Sequence, residues 1–238
     1  DTPADRGGFY AALRDGRVMY YEDSNYSELE SIYGGHGEQS AVVSLGDEFV
    51  AAGEDGRIRI WHRSRIVSGT WFSRRLHGSP RVWVWGIDVS TDGWLIAAGS
   101  SDRKARIWDS ASGELLMILE GHSSAVTKVR FSPDGQRLAT ASRDGTVRVW
   151  DSQSGRQIML LRGHDDWVLD IAYSPDGSLL ASVDGDGWMQ IWDAYTGKML
   201  KRQLVCVGPS RAIVFRPDSR MLITACDEGY LNLWGIVE

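Results

Sequence analysis

The stretch "SRDGTVRVWD", residues 142–151, places Asp144 six residues before Trp150. The same spacing of aspartate and tryptophan occurs in "SSDRKARIWD" at 100–109 and in "GDGWMQIWD" at 185–193. A pattern that returns at a fixed interval of a few tens of residues is the sequence signature of a repeat architecture. The chain is therefore predicted to contain a repeated structural unit.

The interval between the units is set by four tryptophans that are 42 residues apart, namely Trp108, Trp150, Trp192 and Trp234. Within a unit, short alternating runs such as "LATAS" and "TVRVW" are separated by turn sequences such as "SPDG" and "RDGT", which is typical of strands joined by hairpin turns. No segment has a sustained helical period. We expect an all-β single domain of six units, at about 9–35, 36–77, 78–120, 121–162, 163–204 and 205–238.

The motifs of these units resemble those of the WD-repeat β-propeller family. The chain carries "GH" at 121–122 and 163–164, "SPDG" at 132–135 and 174–177, and "WD" at 108–109, 150–151 and 192–193. The resemblance covers nearly the whole chain and implies four-stranded antiparallel blades arranged in a ring. It implies little about function, because one fold serves many functions.

The resemblance also implies a buried polar network in each blade, because buried imidazole, hydroxyl and indole groups need partners. The network joins the "GH" histidine, a hydroxyl on the second strand, the turn aspartate and the third-strand tryptophan. Two units supply all four residues, which are His122, Thr140, Asp144 and Trp150, and His164, Ser182, Asp186 and Trp192. An earlier unit keeps His77, Asp102 and Trp108 but has Ala98 at the hydroxyl position. We expect these residues to be structural and not catalytic.

A candidate partner-binding rim follows from the same resemblance, at the starts of inner strands and just before the turn aspartates. Its residues are Trp83, Trp85, Thr127, Trp167, Leu169 and Arg211 on inner strands, with Glu54, Ser101, Arg143 and Asp227 before the turns. Tryptophan and arginine are enriched among the residues that dominate binding energy at interfaces. The alternative is that Trp83 and Trp85 pack between blades, since aromatic residues also dominate cores.

Both terminal units are incomplete in the sequence. The first begins at its second strand, "GFYAALR", and the last stops after its third, "YLNLWGIVE". An open ring exposes sheet edges. We therefore expect a ring that this chain alone does not close, with completing strands from an upstream segment of a longer protein or from another chain. The alternative is a tolerated gap between the terminal blades.

Composition narrows the classes of partner. The formal net charge of −6 argues against nucleic acid, and no apolar run is long enough to span a membrane. Cys206 and Cys226 lack metal-ligand spacing and are expected to be reduced thiols in a cytoplasmic protein. No phosphate-binding, metalloprotease or nucleophile motif is present, so we expect no catalytic residue, no metal and no cofactor.

The predicted function is a non-catalytic protein–protein interaction module, a scaffold or sensor domain of a larger regulatory or signalling protein. It would bind a protein or peptide through the propeller rim. The alternative is a small-ligand or catalytic site in the central channel, which requires converging charged residues with shifted pKa values.

Overall fold

The computed structural model describes residues 8–12, 17–22, 28–33, 39–45, 48–62, 73–80, 82–219 and 221–235. The regular secondary structure of these ranges consists of β-strands, arranged in six antiparallel sheets. None of the described segments forms a helix of the length and apolarity needed to cross a membrane. The expectation of an all-β fold is confirmed.

Each sheet is a blade, numbered here in chain order. Blade 1 contains β1 (Gly8–Ala12), β2 (Arg17–Glu22) and β3 (Glu28–Tyr33). Blade 2 contains β4 (Gln39–Leu45), β5 (Glu48–Gly53), β6 (Arg59–His62) and β7 (Ser73–Arg75). Blade 3 contains β8 (Val84–Val89), β9 (Leu95–Ser100), β10 (Ala105–Asp109) and β11 (Leu115–Leu119).

The remaining three blades follow in the same order. Blade 4 contains β12 (Val126–Phe131), β13 (Arg137–Ser142), β14 (Thr146–Asp151) and β15 (Gln157–Arg162). Blade 5 contains β16 (Val168–Tyr173), β17 (Leu179–Asp184), β18 (Trp188–Asp193) and β19 (Met199–Leu204). Blade 6 contains β20 (Ser210–Phe215), β21 (Met221–Cys226) and β22 (Leu231–Gly235).

Consecutive blades lie side by side through their inner strands, so that β4, β8, β12, β16 and β20 are neighbours in that order. Strand β1 contacts β4 in the way that β5 contacts β8 and β9 contacts β12. Blade 1 therefore starts at its second strand in the described part of the chain, and blade 6 ends after its third. This arrangement is a β-propeller whose terminal blades have three strands each within the described ranges.

The hydrophobic core lies between the blades. Strand β14 shows how the sequence builds it, because Val147 and Val149 join a buried cluster with Ile171 of blade 5. On the other face of the same strand, Trp150 joins a cluster with Ile107 of blade 3. Successive side chains of a strand point to opposite faces, so each blade contributes to two clusters.

One face of blade 6 lacks such a cover. Leu231 and Leu233 of β22 are 66% and 61% exposed, whereas Val147 and Val149 at the corresponding positions of β14 are 0% and 1% exposed. The paired positions also match, since Leu233 lies opposite Ile223 as Val149 lies opposite Ala139. The last described blade therefore presents to solvent the face that the preceding blades bury.

This difference predicts unequal effects of two matched substitutions. Ile107 is 0% exposed and Leu233 is 61% exposed at corresponding positions. Ile107→Ala should lower the free energy of unfolding by about 2–5 kcal/mol, because it leaves a cavity between blades. Leu233→Ala should change it by no more than about 0.5 kcal/mol. Urea unfolding of both variants checks this, and equal losses would show that the face of β22 is covered in solution.

Candidate functional site

The polar network of blade 4 links the loop that enters the blade to the second strand, the turn after it and the third strand. His122 lies 2.9 Å from Asp144 through Nδ1 and 2.8 Å from Thr140 Oγ1 through Nε2. The Trp150 indole N–H donates to the same hydroxyl at 2.9 Å. Because an ionised carboxylate can only accept, the Nδ1 proton of His122 is directed at Asp144. The structure thus brings the four predicted residues of this blade into one hydrogen-bonded chain.

Asp144 also organises its own turn. Its carboxylate accepts from the Thr146 hydroxyl at 2.6 Å and from the Ser123 backbone N–H at 2.9 Å. Burial raises the pKa of Asp144, but the hydrogen bonds from His122 and Thr146 outweigh it and hold that pKa well below its usual range. The ionised carboxylate therefore ties the β13–β14 turn to the loop before β12.

In blade 5 the prediction for Asp186 is wrong. His164 Nδ1 lies 2.6 Å from Asp184, at the end of β17, while its Nε2 lies 2.7 Å from Ser182 Oγ and Trp192 donates to that hydroxyl at 3.0 Å. Asp186 is exposed, and its backbone N–H donates to the Asp184 carboxylate. Two aspartates, Asp184 and Asp186, lie close together where β17 ends. Asp184, the last residue of β17, is the one that reaches the loop carrying His164.

The expectation that His77 takes part in the blade 3 network is also wrong. His77 is exposed, and its backbone carbonyl accepts the Trp108 indole N–H at 2.6 Å. Asp102 is paired with Arg106 on the neighbouring strand at 2.6 Å. With Ala98 in place of a hydroxyl, an imidazole here would lack its second partner. Blade 2 uses the same arrangement, in which Arg59 pairs with Asp55 at 2.7 Å.

Blade 6 replaces the histidine and aspartate by a covalent bond. Cys206 and Cys226 form a disulfide with their Cα atoms 5.7 Å apart. They lie one 42-residue interval after His164 and Asp184, so the bond joins the same two places in the blade. This corrects the expectation of reduced thiols. Structural disulfides are typical of oxidising environments, so the cysteines no longer argue for a cytoplasmic location.

The candidate rim contains a continuous stack of flat side chains, which we call the ladder: Trp83, Trp85, Arg143 and Trp167. The indoles of Trp83 and Trp85 are stacked with centroids 4.7 Å apart and planes within 4° of parallel. The Arg143 guanidinium carbon lies 4.4 Å from the Trp85 ring and 4.6 Å from the Trp167 ring. The guanidinium therefore makes cation–π contacts with two indoles.

The ladder joins three blades at one end of the propeller. Trp83 and Trp85 lie at the start of β8 in blade 3, Arg143 lies in the β13–β14 turn of blade 4, and Trp167 directly precedes β16 of blade 5. The Ser101 hydroxyl supports it, accepting from the Trp85 indole N–H at 3.2 Å and donating to the Trp83 carbonyl at 3.0 Å. Trp83 and Trp85 are partly buried and lie outside the described core clusters, and Trp85 contacts Arg143 of the next blade, as the packing alternative also expects.

The other predicted rim residues lie outside the ladder. Thr127 is buried and its hydroxyl donates to the Val168 carbonyl at 2.6 Å, so it joins two inner strands and is not accessible to a partner. Leu169 is partly buried on β16, and Glu54 is exposed at the β5–β6 turn. Arg211 and Asp227 form an exposed ion pair with each other at 2.6 Å.

The opposite end of the central channel holds a cavity of about 370 Å³ bordered by inner-strand residues that include Asp88, Arg130 and Phe131. Asp88 accepts from the Phe131 backbone N–H at 2.7 Å and lies 3.3 Å from Arg130. Burial raises the pKa of Asp88, while Arg130 and the Phe131 N–H oppose that effect. The carboxylate therefore connects blades 3 and 4. Among the described residues no cluster of potential metal ligands occurs.

Comparison with known proteins agrees with this geometry. The family model described as WD domain, G-beta repeat matches residues 27–62, 71–109, 113–151 and 155–193, which together make up more than half of the chain. The chain belongs to the WD40 repeat family. The WD40 match confirms the resemblance found in the sequence motifs.

Three relatives are similar over parts of this WD40 chain. Human cilia- and flagella-associated protein 52 is 30% identical over 86 residues, covering 36% of the chain and 13% of the relative. Transcription initiation factor TFIID subunit 5 of Caenorhabditis elegans is 33% identical over 95 residues, covering 40% and 14%. Autophagy-related protein 16 of Arabidopsis thaliana is 27% identical over 120 residues, covering 48% and 22%. The matched part is therefore less than a quarter of each relative's length.

Among solved structures, the crystal structure of the computationally designed Ika8 protein is similar to this WD40 chain with a TM-score of 0.80. The two are 22% identical, and the alignment covers 95% of this chain and 67% of that one. A likeness at this level of identity bears on the fold alone.

The low pKa of Asp144 predicts a pH effect on stability. A carboxyl whose pKa is lower in the folded state stabilises the fold above its unfolded pKa of about 4, and this stabilisation is lost as pH falls through the folded value. Asp144→Asn should therefore lose about 1–3 kcal/mol at neutral pH, with a smaller difference from wild type in acid. Urea unfolding across pH checks this. A difference that stays constant below pH of about 4 would contradict the role of Asp144.

The disulfide predicts a stability that depends on reductant. The bond closes a segment with a sequence separation of 20 residues, for which the chain-entropy relation gives about 3 kcal/mol. A reducing agent should lower the urea midpoint of wild type. The Cys206→Ser/Cys226→Ser variant is the control, and its midpoint should be low and unaffected by reductant. A wild-type midpoint that does not move although free thiols, absent before, are detected after reductant would contradict the bond's contribution.

Proposed function

We propose that this WD40 propeller is a non-catalytic protein-interaction module, a scaffold or sensor domain of a larger regulatory or signalling protein, which binds a protein or peptide partner through its rim. The ladder is the observation that carries the proposal. It crosses three blades, and its last member, Trp167, leaves 49% of its surface exposed. A large aromatic ring held open to solvent at this position is available to a partner.

The ladder has the properties of an interface hot spot. Tryptophan and arginine supply most of the binding energy in many interfaces, and aromatic side chains lose little conformational entropy on binding. Stacking fixes the rings of Trp83, Trp85 and Trp167 before any partner arrives. Binding to a pre-formed surface avoids much of the cost of ordering side chains.

The names of two relatives agree with a role in assemblies. One is named as a subunit of a transcription initiation factor, and another as associated with cilia and flagella. The net charge of −6 favours a protein or peptide partner over nucleic acid. Recovery of the partner from native extract would identify it.

The test is recovery of partners from native extract by immobilised wild-type chain and two single variants, with identification by mass spectrometry. Trp167→Ala removes the exposed end of the ladder. Trp94→Ala is the matched control, because Trp94 is 63% exposed but lies in the β8–β9 turn at the opposite end of blade 3. We expect a protein that binds wild type and Trp94→Ala and is lost, at least about tenfold, with Trp167→Ala.

Circular dichroism and the urea midpoint show whether each variant is folded before the comparison is made. A partner that Trp167→Ala retains at the wild-type level would place the interface away from the ladder. Loss with Trp94→Ala and not with Trp167→Ala would place it at the other end of the propeller. Either result contradicts the proposed use of the rim.

A further inference from the structure

Arg143 differs from the other described arginines in contacting two aromatic rings. Its guanidinium carbon lies within cation–π distance of two indoles, those of Trp85 and Trp167. Its Nε is buried without a hydrogen-bond partner, and within the described part of the chain no carboxylate pairs with the group. A guanidinium has five N–H donors in one plane. The hydrogen-bonding capacity of Arg143 therefore lies along the edge of the group.

Other arginines of the chain bind carboxylates. The pairs found in the described residues are Arg59–Asp55, Arg106–Asp102, Arg130–Asp88, Arg202–Asp165, Arg211–Asp227 and Arg216–Asp218. The carboxylate next to Arg143 in the sequence, Asp144, is occupied by His122 and Thr146. Asp144 is therefore occupied by the polar network and does not pair with Arg143.

Arg202 shows how a guanidinium that contacts an indole also pairs with a carboxylate in the same molecule. Its guanidinium carbon lies 4.5 Å from the Trp188 ring, and its Nη2 donates to Asp165 at 2.6 Å. The indole covers a face of the group while the carboxylate binds its edge. Arg143 has two such indoles and no carboxylate.

We propose that Arg143 is the receptor for an aspartate or glutamate side chain of an acidic peptide segment in the partner. This inference rests on the proposed function of the rim. A carboxylate matches the guanidinium edge and can bind it through two parallel hydrogen bonds. The contacts with the two indoles restrict the position of the group, so little ordering is needed when the carboxylate binds. Trp167 adds an exposed apolar surface beside the charge for a neighbouring side chain of the segment.

The contacts of Arg143 also disfavour a basic segment of a partner at the ladder. Tryptophan rings can bind a cation from a partner, but here the chain's own guanidinium already contacts both Trp85 and Trp167. A lysine or arginine of a partner would face a like charge at the same point, which disfavours association. The charge that complements the ladder is negative.

The experiment selects binders from a displayed library of random linear peptides, using immobilised wild-type chain as the bait. We expect the selected peptides to be enriched in Asp or Glu at one position. The affinity of a selected peptide should fall at least about tenfold with Arg143→Gln or with its own acid changed to the amide, and the two losses should not add. Arg143→Lys, which keeps the charge without the planar fork, should lose part of the affinity.

The outcomes separate this inference from the proposed function. Peptides that lose binding with Trp167→Ala but show no acidic preference leave the rim as the interface and overturn the carboxylate assignment. Peptides that bind Trp167→Ala and Arg143→Gln as well as wild type, or a selection that yields no binder, overturn both. Trp94→Ala serves as the control, and each variant is compared only after its urea midpoint shows that it is folded.

Discussion

A link from the loop that enters a blade to the end of that blade's second strand, or to the turn that follows it, holds the described C-terminal blades together. Three chemically different pairs form it: His122–Asp144, His164–Asp184 and Cys206–Cys226. A small sheet cannot bury its faces alone and depends on contact with its neighbours. The link fixes the loop from one blade over the next, so the core clusters between blades can form. In blades 2 and 3 an aspartate pairs with an arginine inside the hairpin instead.

The same links position the candidate rim. Arg143 directly precedes Asp144, and Trp167 follows His164 by three residues, so two members of the ladder are attached to residues of the buried networks. Contact between a guanidinium and an indole weakens once the separation exceeds about 6 Å. A turn that moved by a few ångströms would break the ladder. Structural and binding residues are thus different side chains on the same short segments.

The sequence predicts the blades because their signals are local. Alternation as in "TVRVW" and turn sequences such as "SPDG" and "RDGT" determine structure within a few residues. The 42-residue interval shows that these local signals repeat along the chain. The partner of His164 depends on where a strand ends in space, and spacing alone selected Asp186 over Asp184. The disulfide was missed for the same reason. The structure shows that Asp184 is the partner of His164. The residues 42 positions after His164 and Asp184 are Cys206 and Cys226, which form the disulfide.

The ladder was only partly accessible to sequence reasoning. Alternation along β8 implies that Trp83 and Trp85 share a face, but not that this face meets Arg143 from the next blade and Trp167 from the one after. The resemblance placed these residues at one rim, and the stack depends on the curvature of the ring. Burying a polar group without a partner costs free energy. The chain pairs Asp144, Asp102 and Asp88 internally and leaves the buried Nε of Arg143 without a partner, so the ladder carries part of that cost.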